Sequence, residues 1–303
     1  MSLCTVSVII PCFNHERYVA EAIFSALGQT YSPAEVIVID DGSADSSPDI
    51  VSAISVERPN VIFWPHRNRG AHNTINAAIH RADADLIAIL NSDDRYAPRR
   101  LERIAQRFEE DPSIDLVSTG LRFMDGNGQP IDNPWFDDAL GFYRETANLG
   151  AALINGNFLM TTSNIVARRT LFERVGLFSD FRYTHDLDFF LRVLGRGLKI
   201  EFLDEPLVWY RFHQTNTISE GTLKVKIEWA ASIALYLNQL AHEDPARLSS
   251  DILLISQIMR KHSLSELVSL FLAKLPGLPP GRRTLGDFKR DAAFWAAVEA
   301  VAA

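Results

Sequence analysis

The N-terminal part of the chain alternates between short apolar runs and amphipathic stretches, which predicts strands and helices in turn. Residues 6–11 form a continuous apolar run rich in β-branched side chains, typical of a strand covered on both faces. Residues 17–27 carry apolar side chains at helical spacing and are followed by Gly28, a common residue at helix ends. The same unit repeats, with strands predicted at 36–39, 61–64 and 86–90 and helices at 73–80 and from Pro48. The pattern therefore predicts an α/β fold with a mostly parallel central sheet flanked by helices.

The later part of the chain is less regular and ends in helical patterns only. The remaining predicted elements are helices at 98–109 and 186–194, strands at 115–118, 164–167 and 207–212, and a hairpin of 121–124 with 129–131. From Gly221 the patterns are helical, including an apolar stripe from Leu264 to Leu275, and residues 276–281 are predicted as a linker before a last helix. We therefore expect an α/β domain at 1–218, divided near residue 120, and a helical C-terminal extension at 219–303.

Composition and charge exclude several classes of protein. The chain has 303 residues, of which 47% are hydrophobic and 22% charged, and this balance excludes a disordered protein. The formal net charge of −8 argues against nucleic acid as a partner. Cys4 and Cys12 are too far apart on one extended strand to form a disulfide, and two free thiols fit a reducing compartment. Without a secretory signal or an apolar stretch of about 20 residues, the expected location is cytoplasmic, or peripheral at the inner face of a membrane.

Polar residues follow each of the first four predicted strands. Asn14, the pair Asp40 and Asp41, Asn68 and the group at 91–94 each come directly after a strand. Because right-handed crossovers bring the carboxyl ends of parallel strands to one edge of a sheet, these residues are expected to lie close together. Ligands of open α/β sheets bind at that edge. The sequence therefore predicts a ligand site built from these loops.

The acidic residues in these loops have both a functional and a structural explanation. A carboxylate at Asp40 or Asp41 can accept from the imide N–H of uracil or thymine or from ribose hydroxyls, but Asp-Asp-Gly-Ser is also ordinary turn chemistry. Adjacent carboxylates at Asp93 and Asp94 repel each other unless a cation or protons lie between them, which suits Mg²⁺ or Mn²⁺ beside a diphosphate. The alternative is a solvated acidic loop that caps the following helix.

Two further groups of candidate residues lie downstream. Asp186 and Asp188 precede or open a predicted helix, where a carboxylate serves as a general base if it faces the ligand, or as a helix cap. Arg211 and His213 are expected on one face of a strand, where they can clamp a diphosphate or ligate a metal. An exposed edge strand would give the same pattern.

Taken in order, these segments resemble the family 2 nucleotide-sugar glycosyltransferases of the GT-A fold over roughly residues 5 to 215. The resemblance is carried by VSVIIPCFN at 6–14, Gln29 within 26–30, IDDGS at 39–43, NRG at 68–70, LNSDD at 90–94, VGLF at 175–178, His185-Asp186 and YRFH at 210–213. It implies a GT-A catalytic domain at 1–218, with a nucleotide-binding half at about 1–120 and an acceptor half at about 121–218.

The resemblance also implies roles for individual residues. Asp186 falls at the position of the catalytic base. Asp93, Asp94 and His213 are implied as ligands of Mn²⁺ or Mg²⁺. The residues implied to bind the nucleotide sugar are Pro11, Phe13, Asn14, Asp41, Asn68, Asn91, Ser92, Asp93 and Arg211. The sequence departs from the family pattern at Asn91, where many members have an acidic residue, and at His185, which replaces an acidic residue and is expected to shift the pKa of Asp186 according to its own charge.

The implied activity is an inverting transfer of a sugar from a nucleoside-diphosphate sugar, with UDP or dTDP favoured, to a hydroxyl group of an acceptor in glycan or polysaccharide biosynthesis. One alternative is a catalytically inactive nucleotide-sugar-binding module of the same fold. Another is a sugar-phosphate nucleotidyltransferase, which would need a glycine-rich, basic loop where this chain has residues 11–14, PCFN.

The acceptor and the C-terminal helices are less well defined by the sequence. A saccharide or lipid-linked acceptor is expected, with residues 134–157 as candidate acceptor loops. Residues 260–284, with their apolar stripe and basic side chains, are expected either to touch an anionic membrane or to pack against the rest of the protein or a second subunit. The donor sugar and the oligomeric state stay open.

Overall fold

The computed structural model describes residues 4–214, 216, 221–278 and 284–302. The strands are β1 Val6–Cys12, β2 Glu35–Asp40, β3 Val61–Pro65, β4 Leu86–Ile89, β5 Arg95–Tyr96, β6 Leu116–Met124, β7 Pro130–Ile131, β8 Val166–Arg168 and β9 Ile200–Arg211. The helices are α1 Val19–Leu27, α2 Ser47–Glu57, α3 Ala71–Arg81, α4 Arg100–Glu110, α5 Pro134–Thr146, α6 Leu149–Asn155, α7 Arg169–Val175, α8 His185–Gly195, α9 Thr222–Glu243, α10 Pro245–Lys261, α11 Ser265–Lys274, α12 Leu285–Lys289 and α13 Ala292–Ala302.

The chain divides into two compact units, each built from separate stretches of sequence. The sheet unit comprises Met1–Asp132, Thr161–Leu177 and Lys199–His213. The helical unit comprises Asn133–Met160, Phe178–Leu198 and Gln214–Ala303. The boundary expected near residue 219 and part of the linker expected at 276–281 lie outside the described residues, so that division of the chain stays a prediction.

The sheet unit contains all nine strands of the described residues, in the order β3-β2-β1-β4-β8-β6-β9-β5, with β7 paired to β6. The long pairings are parallel, between β1 and β2, β1 and β4, β2 and β3, and β6 and β9. Short antiparallel pairings involve β5, β7 and β8. Strand β1 lies between two parallel neighbours, which explains its nearly uninterrupted apolar sequence. The mostly parallel sheet flanked by helices is confirmed.

Strands β6 and β9 are longer than predicted. The predicted pieces at 115–118 and 121–124 form one strand, and β9 begins at Ile200 rather than at residue 207. A bulge on either side of Gly120 lets β9 continue past Pro206. A Cβ on Gly120 would lie 3.1 Å from the carbonyl oxygen of Glu205, so the absence of a side chain permits this close approach. The predicted hairpin is confirmed, since β6 pairs with β7.

The first part of the helical unit differs from the sequence prediction. Residues 134–157, expected as acceptor loops, form helices α5 and α6 instead. Each helix begins at an asparagine cap, because Asn133 Oδ1 accepts from the N–H of Phe136 and Asn148 Oδ1 accepts from the N–H of Ala151.

The apolar stripe near the C-terminus lies inside the helical unit. Helix α11 packs against α9 and α13. Five residues of the stripe, in α11 or directly beside it, are each at most 1% exposed: Leu264, Leu267, Val268, Phe271 and Leu275. This burial supports packing within the protein over membrane contact for the stripe, while residues 279–283 of the segment expected to touch a membrane lie outside the described ranges. No helix of the described part of the chain is long and apolar enough to span a membrane.

Candidate active site

The loop that follows β1 is bonded to the loop that follows β2. The backbone N–H of Asn14 donates to Ser43 Oγ at 2.8 Å, and the Asn14 side chain accepts from the N–H of Ala44 at 2.8 Å. Asn14 has φ of 53°, in the left-handed region that asparagine tolerates better than most residues. Phe13 is 45% exposed, whereas Pro11 is held within the sheet. Phe13 therefore presents an aromatic surface beside a fixed loop.

Asp40 closes a turn at the end of β2. Its Oδ2 accepts from the backbone N–H groups of Gly42 and Ser43, at 3.1 and 2.9 Å. Its Oδ1 is buried and has no hydrogen-bond partner within the described ranges. The turn interpretation of the Asp-Asp-Gly-Ser sequence is thus confirmed for Asp40.

Asp41 holds the loop that follows β3. Its two oxygens accept from the backbone N–H groups of Arg69 and Gly70, at 2.7 and 3.0 Å, and Nδ1 of His66 lies 3.4 Å from Oδ1. Asn68 is an exposed residue of this same loop. The structure therefore brings together Asp41 and Asn68, two of the predicted nucleotide-binding residues. Each carboxylate oxygen has a second lone pair with which to accept from a ligand.

Asn91 joins the loop after β4 to a short 3-10 turn at Thr162–Asn164. Its Nδ2 donates to Thr161 Oγ1 at 2.9 Å, its Oδ1 accepts from Thr162 Oγ1 at 2.8 Å, and its backbone N–H donates to Ser163 Oγ. An amide both donates and accepts, which a carboxylate in the same place would not do. The departure from the family pattern at Asn91 thus supports a local hydrogen-bond network.

Asp94 is buried and fully engaged by protein groups. Its Oδ2 accepts from Ser163 Oγ at 2.6 Å and Thr161 Oγ1 at 3.4 Å, and its Oδ1 accepts from the backbone N–H of Arg211 at 3.0 Å. Burial, followed by the negative charge of Asp93, raises the pKa of Asp94 well above its usual range. These contacts favour a structural role, and the predicted role of Asp94 as a metal ligand stays a prediction.

Asp93 lies between two histidines. His213 Nε2 is 2.9 Å and His15 Nε2 is 3.9 Å from Asp93 Oδ2. One ligand atom from each of the three residues lies within 4.8 Å of the others, close enough to hold one metal ion with small adjustments. Burial opposes ionisation of Asp93, but the hydrogen bond with His213 and the charge of His15 outweigh it and lower the pKa of Asp93.

The sequence prediction identified two members of this cluster and missed the third. Asp93 and His213 were expected to meet, and they do. His15 was not expected, although it directly follows Asn14 in one of the strand-end loops. Ser92, expected to bind the nucleotide sugar, has its Oγ 2.7 Å from Nδ1 of His15.

Arg211 braces the loop that carries Asp93. Its Nε donates to the carbonyl oxygen of Asp93 at 2.8 Å, its Nη2 pairs with Glu21, and its guanidinium lies over the ring of Tyr18. It is only 2% exposed. Strand β9 ends at Arg211, so the expectation that Arg211 and His213 share a strand face was wrong. The predicted contact of Arg211 with the nucleotide sugar stays a prediction.

Asp186, in the helical unit, is a buried carboxyl group near the start of α8. Its Oδ1 accepts from the N–H of Leu187 at 2.8 Å, and its Oδ2 accepts from Nδ2 of Asn157 at 3.1 Å. Within the described part of the chain no cation pairs with it. Burial raises the pKa of Asp186 to about 7. A carboxyl group with this pKa is suited to accept a proton near neutral pH.

The neighbouring Asp188 has a different environment. It is 2% exposed and accepts from Ser179 Oγ at 2.8 Å and from Nε of Arg192 at 2.9 Å. This pairing makes it a structural acid within α8. Burial lowers the pKa of His185, which favours its neutral form and weakens the expected influence of its charge on Asp186.

Glu228 of α9 fixes the chain that leads into α8, and the sequence analysis missed it. Its carboxylate accepts from three consecutive backbone N–H groups, those of Arg182, Tyr183 and Thr184, at distances of 2.7 to 3.2 Å. Thr184 is the residue that precedes α8. A buried acid in a long amphipathic helix gives no sequence signal for such a contact, because its partners are backbone groups.

The mostly parallel sheet, with polar and acidic side chains in the loops that follow its strands, is typical of the GT-A α/β fold. TarS of S. aureus, in a structure in complex with UDP-GlcNAc, aligns with a TM-score of 0.65 at 19% identity and covers 85% of this chain and 72% of its own. A mannosyltransferase of Pyrobaculum calidifontis, in complex with GDP-Man and Mn²⁺, aligns with a TM-score of 0.62 at 17% identity. The alignment covers 100% of this chain and 86% of the mannosyltransferase chain. These likenesses confirm the predicted GT-A fold.

The family follows from the sequence match. The model of glycosyl transferase family 2 matches residues 7–176. The chain therefore belongs to glycosyl transferase family 2, as the resemblance had implied. An uncharacterized glycosyltransferase of Nostoc sp. is 30% identical over 216 residues, which are 70% of this chain and 66% of that protein.

Proposed function

We propose that this chain is an inverting glycosyltransferase of glycan or polysaccharide biosynthesis. It transfers a sugar from a nucleoside-diphosphate sugar to a hydroxyl group of a saccharide or lipid-linked acceptor. The observation that carries the proposal is the state of Asp186, a buried carboxyl group with a pKa near 7 and no cationic partner within the described ranges. An inverting transfer requires one base of this kind and no enzyme nucleophile. The free thiols of Cys4 and Cys12 support a cytoplasmic location.

The donor is proposed to bind at the strand ends of the sheet unit. The exposed ring of Phe13 offers a stacking surface for the base, and Asp41 offers an acceptor for an imide N–H. The imide N–H of uracil or thymine suits this acceptor, and a UDP- or dTDP-linked donor is therefore proposed. Asn14, Asn68 and Asn91 are proposed to support the loops around the nucleotide.

The side chains beside Asp93 suit a divalent ion. Asp93 and His213 supply a carboxylate oxygen and an imidazole nitrogen 2.9 Å apart, and Mn²⁺ accepts both kinds of ligand. When bound, such an ion neutralises the negative charge that develops on the departing diphosphate. Mn²⁺ or Mg²⁺ is therefore proposed as the cofactor.

The chemical step assigned to this chain is the removal of one proton. Asp186 accepts the proton of the acceptor hydroxyl, whose oxygen forms a bond to the anomeric carbon from the face opposite the nucleotide. The bond from the anomeric carbon to the diphosphate breaks, and its electron pair leaves with the nucleoside diphosphate. The hydrogen bonds from Leu187 and Asn157 orient the Asp186 carboxylate for this step.

A donor screen tests the proposal. UDP-, dTDP- and GDP-sugars are incubated with the protein with Mn²⁺ and with a chelator, and released nucleoside diphosphate is measured. We expect release from one uridine or thymidine donor, dependent on the metal. Binding of a diphosphate without release from any donor, in the presence of candidate acceptors, would favour a binding module instead.

The base is tested separately with Asp186→Asn. This variant is expected to bind the donor with unchanged affinity in a calorimetric titration and to lose transfer by at least about a hundredfold, the contribution typical of a general base. The control is Asp138→Asn, which removes an exposed carboxylate of the helical unit. Normal turnover by Asp186→Asn would refute the assignment.

A further inference from the structure

We infer that His15 is a third protein ligand of the divalent ion, and that the resulting set of two imidazoles and one carboxylate favours Mn²⁺ and Co²⁺ over Mg²⁺. The inference rests on the proposed function and adds a ligand and a metal preference to it. A ring nitrogen of His15, a carboxylate oxygen of Asp93 and a ring nitrogen of His213 lie within 4.8 Å of one another, and Nε2 of His15 is 3.9 Å from Asp93 Oδ2. The three residues come from separate segments, after β1, after β4 and after β9.

The hydrogen bond on the far side of the His15 ring suits a ligand. Nδ1 of His15 is 2.7 Å from Ser92 Oγ, while Nε2 lies on the side of Asp93. A ring that donates from Nδ1 to a hydroxyl carries its lone pair on Nε2, the nitrogen available to a metal. Metal-bound histidines commonly have such a partner on the other nitrogen, which sets the tautomer and the ring orientation.

The backbone of His15 is also held in place. Its N–H donates to Ser47 Oγ at 3.0 Å, and its carbonyl oxygen accepts from the N–H groups of Tyr18 and Val19, both at 2.9 Å. The rings of His15 and His213 meet edge to face with centroids 5.5 Å apart, so both approach Asp93 without stacking on each other. The position of Nε2 is therefore determined before any ion binds.

The ligand types set the expected preference among metals. Mg²⁺ prefers oxygen ligands and retains several of its waters, so two imidazoles suit it poorly. Nitrogen ligands bind first-row transition ions more tightly, with affinity rising from Mn²⁺ to Co²⁺. If Asp93 and His213 alone bound the ion, the single imidazole would discriminate less between Mn²⁺ and Mg²⁺.

The test is a metal titration of the full chain, read by the electron paramagnetic resonance of free Mn²⁺, with and without UDP. We expect His15→Gln to weaken Mn²⁺ binding at least about tenfold and Mg²⁺ binding, measured by competition, less than about threefold. The matched control is His80→Gln, which replaces an exposed histidine of α3 and should leave both affinities unchanged. Unchanged Mn²⁺ affinity in His15→Gln would overturn the inference.

A spectroscopic count of nitrogen ligands keeps the test independent of how well the variant folds. Pulsed electron paramagnetic resonance of bound Mn²⁺ should show two coupled imidazole nitrogens in the unmodified protein. One nitrogen would overturn the role of His15 while leaving the proposed function intact. No nitrogen would overturn the whole cluster as a metal site, and the donor screen with a chelator would then decide whether transfer proceeds without metal.

Discussion

Replacing Asp186 with asparagine is expected to stabilise the helical unit at alkaline pH while it abolishes transfer. The carboxyl group is 7% exposed and has no cationic partner within the described part of the chain, so its ionised form is poorly solvated in the folded protein. The new amide has nearly the same shape and no charge. It can still accept from the N–H of Leu187. Its NH₂ group can also donate to Oδ1 of Asn157 after the Asn157 amide rotates by about 180°, since that oxygen is buried and has no hydrogen-bond partner among the described residues.

The magnitude follows from the pKa of Asp186. Burial raises this pKa from 3.8 to about 7, and because each pKa unit corresponds to about 1.4 kcal/mol, the ionised form costs about 4 kcal/mol of folding free energy. The folded pKa is above the unfolded one, so the penalty is absent below the unfolded pKa. It grows as the pH rises and is complete above the folded pKa. The asparagine variant carries no such penalty at any pH.

The assay is urea unfolding of both proteins at about pH 5 and about pH 8. The advantage of Asp186→Asn over the unmodified protein should be larger at the higher pH by about 3 kcal/mol, since over most of this range Asp186 is protonated in the folded state and ionised in the unfolded state. Other titrating groups are common to both proteins and cancel. The exposed Asp138→Asn should show no such difference. An advantage that does not change with pH would refute the reasoning from burial.

Three further predictions follow from contacts in the structure. The rate of transfer should rise with pH and level off above about 7, because Asp186 accepts a proton only when ionised; a rate that stays constant from pH 5 to pH 8 would contradict this role. Glu228→Ala should lower the free energy of unfolding by at least about 2 kcal/mol in urea titrations, because three backbone N–H groups lose a carboxylate acceptor and that of Thr184 is buried; no loss would mean that water replaces the carboxylate. Gly120→Ala should cost about 1–3 kcal/mol in thermal or urea unfolding, because the added Cβ meets the backbone at Glu205. Its control is Gly141→Ala in helix α5, where the Cβ meets nothing within 4 Å and a gain of up to about 1 kcal/mol is expected.

Local patterns in the sequence determined the first half of the sheet and the positions of its polar residues. Strands β1 to β4 were predicted within two residues of their observed ends, because strands buried on both faces are continuous apolar runs. The resemblance to the family implies Asp93 and His213 as metal ligands and Asp186 as the base. The succession of strands along the sequence and the family pattern both identify such residues, because neither depends on the tertiary structure.

Only the tertiary structure decided which of these side chains are held by hydrogen bonds to other parts of the protein. Asp94, predicted as a metal ligand beside Asp93, accepts hydrogen bonds at both carboxylate oxygens from residues distant in sequence. The guanidinium of Arg211 donates to the carbonyl oxygen of Asp93. His15 joins the cluster through contacts with residues that lie about 80 to 200 positions away. Hydrogen bonds and burial at these positions depend on how distant segments pack. A sequence read by local periodicity contains no direct record of that packing.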